Sequence, residues 1–90
     1  GPFVDVFSVP SSAGRARVAI IVPRYGRTAV ARNKVRRRLM NIARTSWMPT
    51  LIGQRLDVDF IFRAKPAAYD ASYIGLQDSL VKPLEAACAR

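Results

Sequence analysis

The stretch Val18-Ala-Ile-Ile-Val-Pro-Arg-Tyr-Gly-Arg-Thr-Ala-Val-Ala-Arg-Asn-Lys-Val-Arg-Arg-Arg-Leu-Met-Asn-Ile-Ala-Arg44 decides how this chain is read. Residues 18–22 form an uninterrupted apolar run of strand length, which predicts a strand buried on both faces. Pro23 ends it and Gly26 marks a loop. Thr28 is the expected N-cap of a helix running to about Arg44. At about 100° per residue, Ala31, Val35, Leu39, Ile42 and Ala43 fall within one arc of about 120°, the core stripe. Arg32, Asn33, Lys34, Arg36, Arg37 and Arg44 occupy the other side, with Met40 among them. Arg38 lies at the margin, where its stem can pack while its head reaches solvent. Like charges at Arg32–Arg36 and Lys34–Arg37 weaken an isolated helix by a few tenths of a kcal/mol each. Local stability does not account for such a face; binding does.

Working outward, residues 3–9 alternate and are rich in Val and Phe, with Phe3, Asp5, Phe7 and Val9 on one side. They predict a strand, and the short turn at residues 10–14 predicts an antiparallel hairpin with the second strand. Downstream, residues 47–53 read as a connector because they hold Pro49 and Gly53. Residues 57–63 predict a third strand. Asp70 or Ser72 is the expected cap of a last helix with Ile74, Leu76, Leu80, Val81, Leu84 and Ala87 as apolar positions. Pro83 must kink or end that helix, lacking an N–H and clashing with the preceding turn. The expected order is β-β-α-β-α in one α/β domain over residues 1–90. Gly1-Pro2 has the look of a protease scar, so the native chain is expected to begin upstream.

Composition limits the chemistry. The chain has no histidine and one cysteine, Cys88. That removes the commonest general base and metal ligand, serine–histidine or cysteine–histidine pairs, and an internal disulfide. No apolar run approaches the ~20 residues of a membrane span. The net charge is +9, and ten of the fifteen basic residues lie between Arg15 and Arg44, a stretch without an acid. Nine of those ten are arginine, whose planar fork suits phosphates and stacking on bases. An anionic polymer is the natural partner for so local an excess.

The quoted stretch resembles the signature of the bacterial ribonuclease P protein. In that family a strand and a basic, glycine-bearing loop lead into a helix. Ala29, Val30, Arg32, Asn33, Val35, Arg36, Arg37 and Leu39 match its opening in order and spacing. Residues 57–63 and 69–84 resemble the family's later strand and terminal helix, so the likeness runs from Phe3 to Leu84. The resemblance implies an α/β (α+β) two-layer sandwich like domain 2 of ribosomal protein S5, with a left-handed crossover that breaks the usual rule. The family also has an amino-terminal helix before the first strand, which is expected to be absent here.

The resemblance further implies a protein subunit without catalytic residues or a metal of its own, acting in the bacterial cytoplasm. Its partners would be ribonuclease P RNA and precursor tRNA, with no membrane and no obligate protein partner. The RNA, with magnesium, would remove the 5′ leader. Carried over residue by residue, the RNA-binding set is Arg24, Arg27, Arg32, Asn33, Lys34, Arg36 and Arg37, followed by Arg38 and Arg44. Phe3, Phe7 and Tyr25 are candidates for a cleft that stacks the unpaired leader; Phe3 and Phe7 could equally belong to the core. Asn33 could read RNA edges or 2′-hydroxyls. The alternatives are another RNA-binding module, such as a ribosomal protein of related fold, a DNA-binding helix, and a nuclease holding magnesium on Asp57 and Asp59.

Overall fold

The computed structural model describes residues 1–11 and 14–88. Three strands, β1 (Val4–Pro10), β2 (Arg17–Ile21) and β3 (Val58–Ala64), form one sheet in the order β1-β3-β2. β1 runs antiparallel to β3, with Val6 opposite Phe62, and β2 runs parallel to it, with Ile20 opposite Phe62. The expected hairpin is therefore absent: β3 lies between β1 and β2. The end of β1 and the start of β2 thus lie on either side of the start of β3, where the Ser11 N–H donates to the Asp57 carbonyl at 3.1 Å. Stepping over one strand means covering two spacings, roughly 9–10 Å, which the chain length of residues 11–16 reaches easily. Ser12 and Ala13, inside the turn expected at residues 10–14, lie outside the described residues.

β3 takes the centre because both its neighbours can lay apolar side chains beside its own. Phe60, Phe62 and Ala64 face the helical layer and are buried, as is Val4 opposite Ala64. The other face is open: Phe7, Val9 and Ile21 are each about half exposed. β2 is thus only partly buried, at Val18 and Ile20 on its inner face, and exposed on the other, because it is an edge strand in a two-layer fold.

Thr28 caps α1 (Ala29–Ile42) as expected, its side-chain oxygen accepting from the Ala31 N–H at 3.1 Å. Val35, Leu39, Ile42 and Ala43 are buried. Residues 47–53, expected as a connector, are helical. A π-helical turn, Ala43–Trp47, passes directly into α2 (Met48–Gly53), with the Met48 N–H reaching the Ala43 carbonyl. Leu39, Ala43, Trp47 and Leu51 recur every four residues, and in a pure α-helix such a row drifts by roughly 40° per step. The wider π turn cancels part of that drift and keeps all four on the core. Pro49 follows directly on the π turn, where the regular i→i−4 ladder is already interrupted, so its missing N–H removes less than it would in an unbroken α-helix.

After β3, a 3-10 turn (Pro66–Asp70) leads to α3 (Tyr73–Ser79) and α4 (Val81–Cys88). Ser72 is the cap of α3, accepting from the Gly75 N–H at 3.0 Å. The break falls after Ser79, the residue whose carbonyl an unbroken helix would pair with position 83. Pro83 therefore ends α3 four residues ahead of itself and stands in the first turn of α4. Leu76 and Leu80 are buried, whereas Ile74 and Val81, expected on the apolar face, are exposed at 67% and 44%.

Candidate nucleic-acid interface

The outer face of α1 carries the densest positive charge. Asn33, Arg36 and Arg37, with Val30, line one shallow depression. These three polar side chains and Lys34 are exposed, as are Arg24, Arg27 and Arg44. Arg32 and Arg38 differ. Arg32 is half-buried and its Nε donates to the Val22 carbonyl at 2.8 Å, which ties the start of α1 to the end of β2. Arg38 donates from its NH1 nitrogen to the Ala71 carbonyl at 3.0 Å, joining α1 to the segment before α3. Spacing placed Arg32 with the solvent-facing cations and Arg38 at the margin of the stripe with its head in solvent; both guanidinium groups instead satisfy backbone carbonyls left by the loops.

The loop between β2 and α1 is held rather than loose. Tyr25 and Gly26 both adopt positive φ, 49° and 79°, and the Arg27 N–H closes the turn on the Arg24 carbonyl at 2.8 Å. Left-handed backbone is strained for a tyrosine and persists only when its surroundings hold it. Here the Tyr25 hydroxyl donates to the Ala64 carbonyl at 2.8 Å and its ring meets Tyr69 edge-to-face, centroids 6.3 Å apart. The Tyr69 hydroxyl donates to the Pro23 carbonyl at 2.6 Å. Arg27 lies 5.1 Å above the Tyr69 ring and pairs with Asp70 at 3.2 Å. Tyr69 and Asp70 thus support the basic loop from across the fold. No local sequence pattern announced them, because the contacts span more than forty residues.

Tyr69→Phe is expected to cost about 1 kcal/mol of stability, the worth of one neutral hydrogen bond. It should also weaken polyanion binding at the loop without altering the charge. Urea unfolding and a salt titration of RNA binding check both; unchanged values would show that the loop stands without Tyr69.

The candidates on the sheet separate. Phe7 projects from the open face, opposite Ile61 of β3, which has Ala19 of β2 on its other side. Phe3 precedes β1 and packs against the core, next to Gly75 of α3. The open face is therefore apolar at its centre and charged at its margins.

At one margin Arg17 forks onto Asp59, Nε to Oδ1 at 3.0 Å and the NH2 nitrogen to Oδ2 at 2.6 Å. The Arg17 hydrogen bonds hold the Asp59 carboxyl below the usual carboxylate range, its partial covering opposes this, and the guanidinium charge and Ser11 assist. Asp59 is thus engaged with an arginine, and among the described residues no group of three acidic, histidine or cysteine side chains could hold a metal ion. A carboxyl with a depressed folded pKa stabilises the fold above its unfolded value, near pH 4, and loses that contribution as pH falls through the folded pKa. The stability gap between the wild type and Asp59→Asn should therefore be largest above about pH 4 and close below it. A gap independent of pH would mean that the fork is not what Asp59 contributes.

Among the described residues no helix is long and apolar enough to cross a membrane. Comparison with known proteins accords with the geometry. A family model described as Ribonuclease P matches residues 2–88. The fold superposes on the RNase P protein of Staphylococcus aureus with a TM-score of 0.77 and 24% identity, covering 97% of this chain and 76% of that one. The RNase P protein of Thermotoga maritima matches with a TM-score of 0.76 and 18% identity, over 96% of this chain and 78% of its own. A search of the curated proteins returns no significant match.

Proposed function

The chain belongs to the ribonuclease P protein family, and from that we propose that it is a non-catalytic subunit which binds the RNA subunit through α1 and the basic loop. Ribonuclease P is an endoribonuclease of tRNA processing, and the family implies association with its RNA. The observation that carries the reading is the gathering of Asn33, Arg36 and Arg37 around one depression on α1. The braced Arg24 and Arg27 precede the same helix, in a stretch without an acid. These cations neutralise phosphates and release counterions, so affinity falls steeply with salt.

The open sheet face would receive the single-stranded 5′ leader of precursor tRNA. Phe7 stands there at 49% exposure beside Ile61, an apolar platform on which unpaired bases can stack. Arg63, on the same face of β3, would meet the leader's phosphates. Hydrolysis is assigned to the RNA, with magnesium as its metal; this chain positions substrate and screens charge.

The test is cleavage of a precursor tRNA by bacterial ribonuclease P RNA at low magnesium, with and without this chain. Strong stimulation is expected. No stimulation, together with no salt-sensitive binding to that RNA, would overturn the reading in favour of another nucleic-acid partner.

A further inference from the structure

Helix α1 and the outer edge of β2 leave a groove of about 340 Å³ between them. Val18 and Ile20 of the strand and Met40 and Met48 of the helical layer form its apolar lining, and Arg36 and Arg44 flank it. No acidic side chain lines it. β2 is an edge strand, so its outer N–H and C=O groups have no strand to pair with on this side. An apolar lining with two polarizable sulfurs, hydrogen-bonding backbone and two flanking cations match the parts of a nucleotide: ring faces, base edge and phosphates. Arg36 belongs both to this groove and to the depression that holds Asn33 and Arg37, so the two surfaces are continuous.

We propose that the groove receives a single unpaired nucleobase of the RNA subunit, with the adjoining phosphates on Arg36 and Arg44. This rests on the RNA-binding function proposed above and adds to it a site for a base splayed out of a loop or bulge. A base inside a duplex offers no free face and could not enter. An acidic peptide strand added to β2 is the competing occupant. The continuity with the arginine face of α1 favours RNA.

The chain contains only two methionines, and both line the groove. Methyl-labelled methionine NMR therefore reads this groove and little else. Both methyl signals are expected to shift when the full chain binds bacterial ribonuclease P RNA, and to stay in place with a fully paired, blunt-ended RNA duplex. Met40→Ala with Met48→Ala should lower affinity for the RNA roughly tenfold, the scale of losing one base's packing. The slope of affinity against salt should not change, because no phosphate contact is lost. If the wild type stimulates cleavage while both methyl signals stay still in the complex, the groove assignment fails and the subunit function stands. If the chain neither binds nor stimulates that RNA, both fail. Shifts produced by an acidic strand-forming peptide but not by the RNA would overturn the assignment in favour of a protein partner.

Discussion

Arg36→Ala combined with Arg37→Ala is expected to weaken binding to bacterial ribonuclease P RNA roughly 25- to 60-fold in about 0.1 M salt. The figure follows from counterion release. Each phosphate contact contributes roughly 0.7–0.9 log units of affinity per log unit of salt. Two lost contacts, one log unit below molar salt, remove about 1.4–1.8 log units. The slope of log affinity against log salt should shrink by the same amount. Both side chains are exposed, and neither makes an ion pair among the described residues, so the fold should be indifferent to their loss. Arg32→Ala would be a poorer probe, because it also removes the donor to the Val22 carbonyl and disturbs how α1 is seated. Filter binding over a salt series decides the matter, with Arg55→Ala plus Lys82→Ala, two exposed cations away from α1, as a charge-matched control. Equal losses from that pair and from Arg36 with Arg37 would mean that net charge, and not the α1 face, governs binding.

What was legible in the sequence was local. The Thr28 cap, the stripe of Val35, Leu39, Ile42 and Ala43, and the cationic side of α1 all follow from spacings of three and four residues. The cap and the stripe stand in the structure as read; of the side read as cationic, Asn33, Lys34, Arg36, Arg37 and Arg44 are exposed and Arg32 is half-buried. What was not legible depends on partners distant in sequence. The place of β3 between β1 and β2 is set by which strand can bury Phe60 and Phe62 from both sides, and a short turn by itself suggests a hairpin. Arg32 and Arg38 have the spacing of surface cations, yet each meets a carbonyl that only the folded chain brings near. Phe3 shares parity with Phe7 but lies one residue before the strand begins, where alternation no longer decides direction. The bracing of the basic loop by Tyr69 and Asp70 has no sequence signal at all.

The largest effect on stability is expected from a residue that the sequence placed in a connector. Trp47 is 1% exposed, and its ring meets Phe60 and Phe62 edge-on, with centroids 5.2 and 4.7 Å away. It is the point at which the long helical segment is fastened to the central strand. Trp47→Ala should cost about 3–5 kcal/mol, from lost burial plus the cavity left behind. A domain of this size has only roughly 5–13 kcal/mol in all, so a substantial part of the population should unfold on mild warming. Trp47→Phe keeps most of the apolar volume and should cost markedly less. Because the chain has no other tryptophan, circular dichroism in a urea series is the suitable measurement. A loss below about 1.5 kcal/mol would mean that the site collapses easily, and that the π turn rather than the ring holds the helix in place. RNA should partly rescue Trp47→Ala, since a ligand that binds only the folded chain shifts the equilibrium by mass action. It should not restore the alanine pair at positions 36 and 37, whose defect lies in the contacts themselves. That contrast, stability recovered by ligand against affinity that is not, separates the residue that seats α1 from those proposed to use it.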